Sequence, residues 1–98
     1  MASYHNITGT LTQELLAAGD RASVSSIWFT NTHASDAVTV DLYVEKKLTG
    51  KFYFLKSKSI AVSSYLFLED IGFNNTSNEF GLYIKLNAAD SEVDVIIR

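Results

Sequence analysis

VTVDLYVE, Val38 to Glu45, alternates without a break. Val38, Val40, Leu42 and Val44 share one face of an extended chain, and Thr39, Asp41, Tyr43 and Glu45 share the other. Period two over eight residues reads as a strand with one dry face and one wet face. FGLYIKL, Phe80 to Leu86, repeats the alternation, with Gly81, Tyr83 and Lys85 outward. VDVII, Val93 to Ile97, reads as another strand near the end of the chain.

Other runs are less regular. Ala22 to Thr32 starts as alternation and then reads Ile27-Trp28-Phe29. Phe52 to Leu55 is wholly apolar or aromatic. Ile60 to Val62 and Tyr65 to Leu68 read as one strand bent at Ser63-Ser64. His5 to Leu11 is weaker but Thr-rich. Leu11 to Ala18 holds good helix formers between Thr10 and Gly19, which fit a cap at each end. Eight residues make a marginal helix, so a strand running out into a loop is the default and a helical turn the alternative.

Turn signals separate these runs at 17–20, 31–36, 47–50, 72–78 and 87–91. Proline is absent, so Gly, Asn, Asp and Ser must make the turns. Seven or eight strands at this spacing predict an all-β fold: one antiparallel β-sandwich, jelly-roll or Ig-like, over residues 1–98. A chain of 98 residues makes one domain and buries only roughly 65% of its unfolded surface.

Composition narrows the function classes. The net charge of −3 argues against a nucleic-acid binder held by phosphates and against an anionic-membrane binder. Cysteine is absent, so neither a disulfide framework nor a thiolate metal site is expected. The segment MASYHNITG lacks the regions of a secretory signal, and no apolar run approaches ~18 residues. Synthesis and folding in a cytosol are expected, with no membrane partner. The three Asn-x-Ser/Thr sequons, at Asn6, Asn74 and Asn75, then read as chance.

No catalytic constellation, cofactor motif or metal set emerges. Neither His5 nor His33 has a nucleophile and an acid at recognisable spacing, and no serine stands in a nucleophile elbow. His33 near Asp36 reads as a polar turn. Asp90, Glu92 and Asp94 read as charge on a solvent face, which also guards a strand against wrong pairing. The five glycines are singles, read as turns or bulges. Lys46, Lys47, Lys51, Lys56 and Lys58 form a basic cluster interleaved with aromatics. An acidic partner protein suits that cluster better than single-stranded nucleic acid does, given the acidic total.

Three segments break the one-dry-face rule: Ile27 to Phe29, Phe52 to Leu55, and Tyr65 to Leu68. Each carries large apolar groups on both faces. Large exposed apolar patches usually mark contact surfaces. Covering a few hundred Å² is worth several kcal/mol at ~25 cal/mol per Å², before association costs. The alternative is that these runs are bulged, or covered by the loops at 11–21 and 69–79. Charged residues are 19% of the chain, below the ordinary ~25%, which favours contact with a neighbour. Trp28, Phe52, Tyr53, Phe54, Tyr65 and Phe67 are the candidate interface anchors, with about half expected to serve the core.

The segment ASVSSIWFTNTHASDAVTVDLYVE, then FYFLKSKSIAVSSYLFLED and VDVIIR, resembles small structural proteins of tailed-phage virions. The shared features are Ser26-Ile27-Trp28-Phe29-Thr30-Asn31, a small-residue turn, alternating valines, and an aromatic strand ending Leu55-Lys56. The family's Ile-Pro-x-Gly bend stands here as Ile60-Ala61-Val62-Ser63. The resemblance implies a β-sandwich without enzymatic activity, and no metal or cofactor is expected from the residues. It implies a capsid decoration or cement protein, or a neck, tail or fibre subunit, in several copies. A homo-oligomer is expected, a trimer above others, with the major capsid or another virion protein as partner and the virion as its place. A carbohydrate-binding module on a fibre, stacking sugars on Trp28, Tyr43 or Tyr83, is the alternative.

Overall fold

A computed structural model describes residues 3–46, 48–76 and 79–98. Eight strands run β1 Ser3–Thr8, β2 Gln13–Leu16, β3 Ser23–Asn31, β4 Val38–Lys46, β5 Gly50–Ile60, β6 Tyr65–Asn74, β7 Gly81–Leu86 and β8 Glu92–Ile97. One sheet has the order β1-β8-β3-β6 and the other β2-β7-β4-β5, with every pairing antiparallel. The chain passes between sheets after β1, β2, β3, β5, β6 and β7. Eight strands split in this order form a double-sheet jelly roll rather than an Ig sandwich.

The alternating runs go where period two sends them. Val38, Val40 and Leu42 of β4 meet Leu82, Ile84 and Leu86 of β7, all buried. From the facing sheet come Ile27 and Phe29 of β3 and Val93, Val95 and Ile97 of β8, also buried. β2 is a strand, so the helical alternative for Leu11–Ala18 is not taken. Its short apolar set supplies Leu15 to the core.

Two expectations are corrected. Ile60 to Leu68 is not one bent strand, because β5 ends at Ile60 and β6 begins at Tyr65 in the other sheet. The turn between them closes with the Ser64 N–H donating to the Ala61 carbonyl at 3.2 Å. Ser63 takes a left-handed φ of 58° there, where the resembled pattern has Gly. In KFYFLK, Lys51 to Lys56, strict alternation puts Phe52 and Phe54 on one face and Tyr53 and Leu55 on the other, but Tyr53 and Leu55 do not share a face. Leu42 pairs with Leu55 and Tyr43 with Tyr53, so Phe54 is an extra residue in the ladder. This bulge sends Leu55 toward the core and Tyr53 outward. A second slip between Leu55 and Lys58 contains Ser57, also left-handed.

Two buried asparagines close the loops. The Asn31 side chain donates to the Asp36 and Ile60 carbonyls and accepts from the His33 N–H. Asn75 donates to the Ala17 and Phe80 carbonyls and accepts from the Ala22 N–H. Each amide finds its partners inside, as burial requires. The Asn75 sequon is therefore closed to a glycan in the folded chain, with its nitrogen buried and doubly engaged.

Candidate interaction surface

Each sheet carries a ring-bearing row of side chains across its full outward width. On the β2-β7-β4-β5 sheet, register aligns Glu14, Tyr83, Tyr43 and Tyr53. On the β1-β8-β3-β6 sheet, it aligns Tyr4, Ile96, Trp28 and Phe67.

The tyrosine row closes over its centre, Tyr43, while Tyr53 at its β5 end stays 43% exposed. Tyr43 lies 5.6 Å from the Tyr83 ring and 5.2 Å from the Tyr53 ring, centroid to centroid. The Lys51 ammonium sits 4.9 Å over Tyr43, and the Lys56 ammonium 4.6 Å over Tyr53. Tyr43 consequently retains only 4% of its accessible surface, although it points outward. It is not available to stack on a sugar. Tyr83 folds back over Gly81, where a Cβ would stand 2.7 Å from its hydroxyl oxygen. Glycine is what lets that ring lie flat along its own strand. Burial, then the carboxylates of Glu14 and Glu45 and the neighbouring Tyr43, raises the Tyr83 phenol above the ordinary tyrosine range. An open cleft of about 400 Å³ beside it is lined by Ala18, Gly19, Glu45, Glu79 and Tyr83.

The tryptophan row is open. Trp28 is half-buried, with its ring 4.5 Å from Phe67 and 4.9 Å from Tyr65. Tyr65 is 60% exposed, Phe67 37% and Tyr4 70%. The adjoining outward row runs Asn6, Asp94, Thr30 and Tyr65, with Asn6 donating to Asp94. Glu92 and Glu69 stand further out on β8 and β6. The face is thus a band of rings and Ile96, bordered by carboxylates.

All six candidate anchors lie outside the core. Trp28, Tyr65 and Phe67 come together on the open face, and Tyr53 joins the closed row. Phe52 is exposed at the β5 edge, with its ring 5.9 Å from Phe80, and Phe54 is exposed at the bulge. The expectation that half would serve the core fails because Ile27, Phe29, Leu55, Leu66 and Leu68 take the inward positions. Tyr4 and Ile96 complete the open row and were not among the candidates. Strict alternation from buried Ile7 and Ile97 would have marked both as outward.

His33 fastens two turns. Nδ1 of His33 accepts from the backbone N–H groups of Ser35 and Asp36 at 3.1 and 3.0 Å. Its proton in the neutral ring therefore sits on Nε2, which reaches Asp90 Oδ2 at 3.2 Å. His33, Asp36 and Asp90 converge within 4.8 Å, as ligands would. A metal would need the Nε2 lone pair, which this tautomer lacks. The cluster locks the turn after β3 to the turn before β8. His5 Nε2 is buried without a hydrogen-bond partner. Lys47 of the basic cluster, and Ser77 and Asn78 of the expected turn at 72–78, lie outside the described residues.

No family model and no curated protein matches this chain. Among solved structures, the crystal structure of the Yersinia pseudotuberculosis-derived mitogen aligns over 99% of this chain and 81% of its own. The TM-score is 0.47 and the identity 12%. The functional reading rests on the surfaces of this chain and on the sequence resemblance described above.

Proposed function

We propose that the chain is a structural subunit of a tailed-phage virion, in the first place a capsid decoration or cement protein. Its work is contact rather than chemistry. The observation that carries this reading is the open band of Trp28, Tyr65, Phe67, Ile96 and Tyr4 on one sheet, beside an equally aromatic face that the molecule closes for itself. Aromatic clusters of this kind are the anchors of interfaces. A subunit that binds only the assembled lattice stabilises it by mass action. The jelly roll serves viral capsid domains and lectins alike, so the fold admits this role without choosing it.

Quantitative mass spectrometry of purified particles tests the proposal. Hundreds of copies per particle support capsid decoration, and tens support a neck, tail or fibre position. None at all overturns the virion reading. The tilted Trp28–Tyr65 pair also supports a second reading, a sugar-stacking platform, at 4.9 Å and 35°. A glycan array with the wild type and Trp28→Ala separates the two, because only a sugar platform gives hits that the variant loses.

A further inference from the structure

If the chain assembles as proposed above, its first neighbour is a copy of itself: we infer that the open tryptophan face of one subunit docks head-to-tail on the lysine-bearing β4–β5 side of the next.

Charge segregation points to the occupant. Of eight Lys and Arg, five fall between residues 46 and 58, a stretch with no Asp or Glu. The rest of the chain holds three cations and eleven acids, a formal charge of −8. On the tryptophan face, Glu69, Glu92 and Asp94 border the rings, opposed by Arg98 near the β3 edge of the band. On the β4–β5 side, Lys51, Tyr53 and Lys56 stand on the outward face, and Phe52, Phe54 and Lys58 are exposed along the β5 edge. Of the β4 carboxylates there, Glu45 is paired to Lys51 in register and Asp41 to Lys85, with Asp41 also accepting from the Ser57 N–H. Each patch offers rings, and the two carry opposite charge. Two tryptophan faces would instead bring carboxylates against carboxylates, a juxtaposition that costs binding.

Area permits this arrangement, and edge geometry favours it over strand addition at β5. The molecule measures 41 × 27 × 17 Å. A broad face then offers about 1,100 Å² and a narrow side about 700 Å², against the ~800 Å² per partner of a standard interface. Strand-to-strand extension along β5 is disfavoured by its two bulges and its lysines, features that keep edges from pairing. Contact through side chains on a broad face remains. The two patches lie on different sheets, so the contact is heterologous and closes into a ring or grows open-ended according to its rotation.

Light scattering over a concentration series, with a mixing arm, tests the inference. The A-type variant is Trp28→Ala with Glu69→Lys; the B-type variant is Lys51→Glu with Lys56→Glu. Wild type should associate, and roughly 0.5 M salt should weaken association about tenfold or more. Each variant alone should stay monomeric, with a native far-UV spectrum. An equimolar mixture should form heterodimers and nothing larger, since one intact patch survives on each chain. If the A-type variant does not fold, Phe67→Ser replaces it. Self-association of the B-type variant, or a mixture that stays monomeric, overturns the head-to-tail contact. A monomeric wild type that still binds particles overturns self-docking and leaves the virion reading standing. A monomeric wild type absent from particles overturns both.

Discussion

The two outward faces carry the same ornament and treat it oppositely. Each has an aromatic row set by cross-strand register. On the β4 face, Tyr53 and Tyr83 flank Tyr43, lysines lie over two of the rings, and Gly81 gives Tyr83 room to lie down. On the β3 face, Trp28 has rings on the β6 side only. Its other in-register neighbour is Ile96, and the two lysines that lie over rings among the described residues are both on the other face. Aromatic content alone therefore does not tell whether a sheet face is finished. What the adjacent strands place at the same register decides it.

The largest expected effect breaks the closed row at its centre. Tyr43→Ala removes a buried ring, two ring–ring contacts and one cation–π contact. It should cost about 3 kcal/mol in urea unfolding. Phe67→Ala on the open row should cost about 1 kcal/mol, because more than a third of that residue is already in water and it loses one ring contact rather than two. Equal costs would show that the two faces are not different in kind.

Gly81→Ala attacks the same row from beneath. The new methyl would collide with the Tyr83 ring, which must swing off its strand and uncover Tyr43. Alanine recovers about 0.5–1 kcal/mol of chain entropy relative to glycine. The lost ring contacts and displaced side chain outweigh that, leaving a net loss of about 1 kcal/mol in thermal unfolding. A gain in stability would mean the row tolerates an upright Tyr83.

The link between the faces offers a gain. Ser63 holds a left-handed conformation in the turn from β5 to β6. That conformation costs a non-glycine residue about 1–2 kcal/mol, and glycine's extra unfolded-state freedom costs about 0.5–1 kcal/mol. Ser63→Gly should therefore stabilise by about 0.5 kcal/mol, read as a small rise in the urea midpoint at unchanged slope. A fall would show that the serine side chain does something at this turn beyond tolerating it.

Much of this was legible beforehand, and the failures have causes. β4, β7 and β8 follow from alternation because each has one dry side. β5 and β6 merge when read by eye because no Gly or Pro stands between Ile60 and Tyr65, and Ser63 hides the left-handed position. The Phe54 bulge leaves no trace in hydrophobicity, since the residues on both sides of it are apolar too. Asn31 and Asn75 read as turn residues, although burial and three side-chain hydrogen bonds make each a fastener. The aromatic anchors could be found by type. Which of them lie open depends on lysines and a glycine that register alone brings beneath or above them.

The smallest effect concerns protons and separates the rows again. The folded state raises the Tyr83 phenol, first by burial and then through Glu14, Glu45 and Tyr43. Above the ordinary tyrosine value near 10, the unfolded chain releases this proton while the folded chain retains it. Fewer bound protons in the unfolded state make stability fall as pH rises. The contribution is thus complete below about pH 10 and disappears as pH climbs through the folded value. Tyr83→Phe should flatten this alkaline decline relative to wild type while keeping the ring over Gly81. Glu14→Gln should shift the phenolate absorbance of Tyr83 toward lower pH, because it removes one of the negative charges that resist ionisation. Denaturation midpoints between pH 8 and 11 provide the comparison. An alkaline slope identical in wild type and Tyr83→Phe would mean that the closed row shields its rings from bulk contact without altering how Tyr83 ionises.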